Sequence, residues 1–436
     1  MEVRAFKAFR YDKAKVGDPC DCIAPPYDVI DSGLQKQLYG QSPYNIVRVI
    51  KGMTSSTDGD TDNQYTRAAD YLNEWISQGI IKQDSAESIY SYVQDFELSG
   101  RVYQRLSFIA LGKLEEFGKI VQPHEQILKG PLIDRLNLKR ATSAKFGLVF
   151  MLYEDKLCVA DEIMGKSITD EPLVDLTDEQ DVRHRLFAIT DKNDISAISE
   201  MMSDKSVVIA DGHHRYTTGL EYAKENPSPA AQYQMMAFAN TQHEGLIVLA
   251  THRLVGNLEN YDSAKMLEQL GENFDVRSFR FDTQEQKLQA KQDMTKQMKA
   301  EQDSDKNALG IYDATGAFYL AVFKNASAMA SASPEKSPAW RSLDVAVLCE
   351  LILDDILGLD NEKLASGENV EYIKDTGNKI DEIIACVEAC EKQVAFFLNG
   401  PKMEQIQQVA DQGERMPQKS TYFYPKIFTG LTINKL

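Results

Sequence analysis

Between Val207 and Tyr216 the chain reads VVIADGHHRY, and this stretch constrains the fold more than any other. Four apolar residues, Val207-Val208-Ile209-Ala210, make the short continuous run of a buried strand. The run breaks at Asp211-Gly212 and passes into HHRYTTGLEYAKEN, which has helical periodicity. A strand turning directly into a helix calls for layers of both kinds in one core.

The rest of the chain agrees with that mixture. Tyr65, Ala68, Leu72, Trp75 and Ile76 fall at helical spacing, and Gly79 stands where a C-terminal cap belongs. Two alternating runs, Ser88–Phe96 and Val102–Leu111, meet around Ser99-Gly100 and predict a hairpin. Further strands are expected at Gly147–Tyr153, Met235–Ala239 and Leu246–Ala250. Beyond Asn257 the spacing predicts helices Ser263–Asn273 and Thr283–Glu301, then a second hairpin, Ala308–Tyr312 with Phe318–Phe323. Ala326–Pro338 reads as an Ala/Ser/Pro linker, and Leu343–Leu357 as an apolar helix. The expected fold is α+β (mixed α/β), with an N-terminal region over 1–256 and a C-terminal α/β region over 257–436.

The net charge of −18 disfavours a surface that holds nucleic acid or anionic membrane, so neither partner is expected. A small anion senses only its own pocket, and the acid is unevenly spread. Glu154–Asp181 holds ten acids and two lysines, a solvated face by default. Lys129–Lys145 carries five cations and one acid. Six scattered cysteines make no disulfide framework, and no apolar run approaches the roughly 20 residues of a membrane span. A cytoplasmic location is the expectation.

Four stretches carry candidate chemistry. At the Asp-Gly-His-His-Arg turn, a helix start offers unpaired N–H groups and a positive dipole end, where anions bind. Gly212 permits close approach, His213 and His214 can donate to phosphate or exchange protons, and Arg215 supplies a planar fork. Asp211 is the candidate metal ligand, for Mg²⁺. In Pro123–Lys145, His124 and Glu125 form a candidate base and orienting carboxylate, while Arg135, Lys139, Arg140 and Lys145 can hold an anion. The alternative for that block is a basic surface helix. In Gly413–Gly430, Arg415, Lys419 and Lys426 surround Tyr422, Phe423 and Tyr424 in a Pro-bounded aromatic loop, either an active-site cover with its cations reaching inward or a docked terminal arm. Near the start, APPYDVI presents Tyr27 and Asp28 at a turn, and PYNIVRV places Asn45 and Arg48 before or within an expected strand; a structural turn is the cheaper account when these are read alone.

Together, APPYDVI, PYNIVRV, the PHEQ block, VVIADGHHRY and GERMPQKSTYFYPK resemble a large bacterial and archaeal family, the conserved domain of unknown function number one thousand and fifteen. Ile127 stands where much of that family has threonine, so no hydroxyl role carries over there. The Asp-Gly-His-His-Arg turn is also similar to the phosphate-binding turn of the ParB/sulfiredoxin-like superfamily, which includes the CTP-binding domain of ParB, sulfiredoxin and free-serine kinases. That resemblance implies a ParB/sulfiredoxin-like N-terminal region and assigns Gly212, His213, His214 and Arg215 to phosphate binding.

The leading expectation is a nucleotide-dependent phosphotransferase or phosphohydrolase acting on a small phosphorylated metabolite, with serine or phosphoserine as substrate and ATP, ADP or CTP as nucleotide. His124, Glu125, His213 and His214 would be its catalytic groups. Gly212, Arg215, Arg135, Arg140, Lys145 and Lys419 would bind phosphate; Tyr27, Asp28, Asn45, Arg48, Arg415 and Tyr422 would bind substrate. One alternative is a metal-dependent hydrolase using Asp211, His213, His214 and His124. Another is a nucleotide-binding module without turnover.

Overall fold

Period-two patterning in the ninth to eleventh decades of the sequence folds as a long hairpin, Ile89–Leu98 against Arg101–Lys113. Ser99 (φ 53°) and Gly100 (φ 75°) both take left-handed backbone at the turn, the two-residue geometry whose twist matches its strands. The computed structural model describes residues 1–125, 130–377 and 379–436; Gln126 and Ile127, with the threonine comparison made above, lie outside the described residues.

Among the described residues the hairpin sits within a nine-stranded sheet. From one edge its order is Val121–Pro123, Val207–Asp211, Val149–Tyr153, Tyr233–Asn240, Arg101–Lys113, Ile89–Leu98, Arg183–Ile189 and Val174–Thr177, with Val3–Arg4 on the 101–113 strand. Val207–Asp211 runs parallel to Val121–Pro123 and antiparallel to Val149–Tyr153. One apolar core packs Val149, Met151, Ile209 and Phe238 with Met164 and Ile198, which come from the helices Val159–Ser167 and Lys192–Met202. A second core joins Leu38, Val47, Leu72, Trp75, Leu138, Phe146 and Ile433. Trp75 comes from the helix Gln64–Ser77, whose start is fixed by a reciprocal cap between Asn63 and Thr66.

The chain divides into two compact units. The first comprises Met1–Pro123, the described part of Ile127–Ile247, and Pro425–Leu436; the second comprises His124–Gln126 and Val248–Tyr424. The crossing lies at Ile247–Val248 instead of near residue 257, because Thr251–Val255 already pairs in the second unit's sheet. The C-terminal residues return to the first unit. Thr429 and Ala24 exchange backbone hydrogen bonds of 2.8 and 3.1 Å, and Asn434–Lys435 pairs with Ala144–Lys145. The second unit carries a six-stranded antiparallel sheet in the order Phe274–Arg280, Ala317–Phe323, Ala308–Tyr312, Val394–Phe397, Thr251–Val255 and Val370–Lys374. Its core packs Met294 and Met298, from the helix Gln284–Asp303, on Leu320 and Phe397.

Three local expectations are corrected. PYNIVRV leads into a helical turn, Val47–Ile50, instead of a strand. Asn45 explains it: its side-chain oxygen accepts from the Val47 N–H at 2.9 Å and starts the turn. The Ala326–Pro338 stretch contains the helix Ala326–Ala332 with Met329 buried, as alanine's high helix propensity allows. The apolar helix after Leu343 is α-helical over Asp344–Val347 and widens to π-helix over Leu348–Asp354. Among the described residues, no helix is long and apolar enough to cross a membrane.

Candidate functional site

In the first unit, the strand Val207–Asp211 changes register at its end: Ile209 faces Met151, but Asp211 faces Phe150. Such an irregularity re-aims the side chain that follows it. Gly212 then takes left-handed backbone (φ 91°) and caps the helix His213–Glu225 without a side-chain acceptor. His213 and His214 open the helix, both half-buried, with Arg215 next. Arg215 turns back on the strand: Nη2 donates to Asp211 Oδ2 at 2.6 Å and Nη1 to the Leu148 carbonyl at 2.6 Å. Two glycines make room for it. A Cβ on Gly212 would lie 2.9 Å from Arg215 Nε, and one on Gly147 would lie 3.1 Å from its Cδ.

The other oxygen of Asp211 accepts from Lys426 Nζ at 3.0 Å. Lys426 is delivered by a buried strut. Arg105, fully buried, donates through Nη2 to the Pro425 carbonyl at 2.6 Å and also bonds the Gln94 side-chain oxygen. Gln94 Nε2 in turn donates to the Lys426 carbonyl at 3.0 Å. Burial opposes ionisation of Asp211, but Lys426 and Arg215 outweigh it and hold the carboxyl well below the usual carboxylate range.

Beside the turn lies a pocket open to solvent, with a cavity volume of about 70 Å³, lined among others by Tyr27, Arg135, Lys139, Lys145 and Arg215. Arg135 stacks on the Tyr27 ring at 4.1 Å, donates to the Ile50 carbonyl at 2.7 Å and pairs with Asp134. Burial raises the Tyr27 hydroxyl's pKa, against the pull of Arg215 and Arg135. Asp28, the next residue, is exposed.

The second unit holds its own polar cluster. His124 is fully buried, and its Nε2 lies 2.7 Å from Thr421 Oγ1. Thr421 donates to Glu125 Oε1 from its N–H at 3.2 Å, with its hydroxyl 2.9 Å from the same oxygen. The Met416 N–H donates to the His124 carbonyl at 2.7 Å and locks the two segments together. One hydroxyl thus sits between an imidazole and a carboxylate. Lys419 is exposed, and its carbonyl accepts from buried Arg253 at 3.1 Å. The Arg415 carbonyl accepts from Trp340 Nε1 at 3.0 Å, and the Tyr422 ring faces Lys374 at 4.6 Å.

Other expected site residues have structural work. Asn45 is fully buried and spends both amide donors on the Asp21 and Ile23 carbonyls, at 2.8 and 2.9 Å. Arg48 bonds the Tyr39 carbonyl at 2.8 Å and stacks on the Tyr39 ring. Arg140, expected to bind phosphate, instead pairs at the surface with Glu225 at 2.5 Å. Asp211 does not suit Mg²⁺: each oxygen already accepts from a cation, and a dication there would face two like charges. Among the described residues no group of three or more His, Cys, Asp or Glu could hold a metal ion.

Sequence reasoning missed Gly147, Thr421 and the buried Arg105 and Arg253; it named Lys426 as a loop cation but not its partner Asp211. Lys426 and Thr421 lie inside the quoted STYFYPK run, whose conjunction of hydroxyl, aromatic and cation was the available signal.

Residues 3–346 match the profile of the family described as "Protein of unknown function (DUF1015)". The chain belongs to that family. The matched residues end before the GERMPQKSTYFYPK block. No curated protein matches the sequence. Among solved structures, a free serine kinase in complex with AMP is 11% identical, covering 72% of this chain and 86% of that one, with a TM-score of 0.35. SbnI with a C-terminal truncation, from Staphylococcus aureus, is 10% identical over 75% and 87%, with a TM-score of 0.34. A conserved hypothetical protein from Pyrococcus furiosus is 14% identical over 73% and 92%, with a TM-score of 0.32. Likenesses this slight place no ligand and assign no residue.

Proposed function

We propose that the Asp211–Arg215 turn binds the phosphates of a nucleotide, and that the protein transfers a phosphoryl group to or from a small metabolite bearing a hydroxyl. One observation carries the reading. A helix begins at a left-handed glycine with no side-chain cap, two histidines on its first turn, and Arg215 and Lys426 converging on the preceding Asp211. The helix dipole and its N–H groups favour an anion there. Phosphoryl transfer asks mainly for position and charge stabilisation, which such a site supplies.

In the forward direction the metabolite's hydroxyl oxygen forms a bond to the terminal phosphorus. The bond from that phosphorus to the bridging oxygen breaks, and the shortened nucleotide leaves with the electron pair. The hydroxyl proton passes to His213 or His214, a residue type suited to proton exchange near neutral pH. Arg215 and Lys426 offset the charge on the transferring group. In the first unit their own positive charge is partly consumed by Asp211, which fixes them in place. Serine or phosphoserine is the first substrate to test, on the strength of the turn's resemblance.

The reading is tested by ³¹P NMR of the full chain with ATP, ADP or CTP and serine. Appearance of a phosphoserine resonance, with matching loss of the nucleotide's terminal phosphate, is expected. Intact nucleotide after many hours, with no shift of its resonances, would reject both binding and transfer; shifted but unconsumed nucleotide would leave the binding module without turnover.

A further inference from the structure

The pocket beside the turn contains two buried ammonium groups that the proposed nucleotide chemistry does not use. Lys139 comes from the helix Gly130–Thr142 and is 6% exposed; Lys145 comes from the short strand after it and is 3% exposed. The pocket's arginines have their own carboxylates, Asp134 for Arg135 and Asp211 for Arg215. The lysines do not share that arrangement. Among the described residues Lys139 bonds only the Gln234 side-chain oxygen, at 3.1 Å, and Lys145 bonds only the Ala230 carbonyl and the Asn434 side-chain oxygen, at 3.1 and 3.0 Å. All three partners are neutral amide oxygens. Thr218, 3% exposed and also lining the pocket, has a buried hydroxyl with no hydrogen-bond partner in the structure.

Unpaired ammonium groups are costly to bury, and two of one sign in one pocket are costlier. Burial pushes Lys139 down to about 8. Burial and then the neighbouring Lys139 push Lys145 down to about 7. A purely structural role leaves this cost without compensation, whereas an anion in the pocket removes it. Among the described residues, the other titratable and charged groups facing the pair are the Tyr222 ring, 5.1 Å from Lys139, Tyr27, and the already paired Arg135 and Arg215.

We propose that this pocket binds the phosphate group of a small monoester between the Lys139 and Lys145 ammonium groups, with the Thr218 hydroxyl as a further donor and the ester's carbon portion against Leu138 and Phe146. Phosphate suits the donor set. An ammonium is a compact point charge with three rotatable donors, which matches a tetrahedral anion. A carboxylate is best met by a planar guanidinium fork, and both forks here are occupied by the protein's own acids. Arg215 lines both the pocket and the turn, but the two lysines lie outside the turn, so Lys145→Met tests the pocket separately from nucleotide binding.

The test is calorimetric titration of the full chain with glycerol 3-phosphate, and with inorganic phosphate as the probe lacking a carbon portion. Saturable binding is expected, tighter for the ester. At pH 8 the ligand is already a dianion. Proton uptake measured in two buffers of different ionisation enthalpy therefore reports the protein, and about 1.4 protons per site are expected if lysines of about 8 and about 7 both become charged. Affinity is expected to fall at least about tenfold from pH 6.5 to pH 9 as the lysines discharge, and about tenfold or more in Lys145→Met. Absence of binding at millimolar ligand, binding without proton uptake, or a folded Lys145→Met variant with unchanged affinity would overturn the proposal. Proton uptake by the unaltered chain decides the matter if the variant does not fold.

Discussion

Asp211→Asn is expected to lower the stability of the first unit by about 3 kcal/mol at neutral pH, read by urea unfolding. The aspartate is the shared counter-ion of Arg215 and Lys426, whose side chains are 10% and 15% exposed. Asparagine keeps an oxygen for one of them but removes the charge that both require. Breaking a mostly buried ion cluster by deleting one partner is costly because the remaining charges stay desolvated. The pH dependence follows from the direction of the shift. A carboxyl held below its ordinary range in the folded chain contributes its full stabilisation above that range, and loses it as pH falls through the lowered value. The gap between native and variant proteins is therefore expected to be widest near neutrality and to narrow in strong acid. A variant within about 0.5 kcal/mol of the native protein at neutral pH would show that the cluster does not hold the turn.

Gly212→Ala is expected to cost about 2 kcal/mol, from two separate sources. The backbone at φ 91° suits glycine, and any side chain there is strained. The added Cβ would also sit 2.9 Å from Arg215 Nε and 3.1 Å from its Cζ, so the guanidinium must shift from Asp211. Gly147→Ala is the internal comparison. It presses on the same arginine, at 3.1 Å from Cδ, without a positive φ. Its expected cost is the smaller, measured by the same unfolding experiment. Equal costs would mean that the left-handed turn contributes nothing.

Elements defined by neighbours in sequence were legible. The strand Val207–Asp211, its glycine turn and the helix beyond it are set by an apolar run, a positive φ and a change of period. The Ser99-Gly100 hairpin is legible for the same reason. Residues 45–49 misled because a single buried asparagine redirects the backbone, a choice that hydrophobic pattern does not encode. Within the basic block, charge alone does not separate Lys139 from Arg140. One lies buried in the pocket while the other pairs with Glu225 at the surface. Helical geometry distinguishes them, since Arg135 and Lys139 stand four apart on one face and Arg140 does not. Lys426 was legible as a loop cation, but its partner was not. It meets Asp211 across 215 positions of sequence, and what brings it there is a fully buried arginine on a strand of the central hairpin.

The net charge of −18 is thus compatible with cationic chemistry, because the relevant cations are few, buried and held by specific partners. The central claim is that the Asp-Gly-His-His-Arg turn is a phosphate site. Calorimetric titration of the full chain with ATP, ADP and CTP, repeated on His213→Ala, addresses it most directly. Saturable binding of at least one nucleotide is predicted, weakened about tenfold or more in the variant through loss of a charge-assisted contact. Absence of binding by the intact protein, or the same affinity in a folded His213→Ala variant, would contradict it.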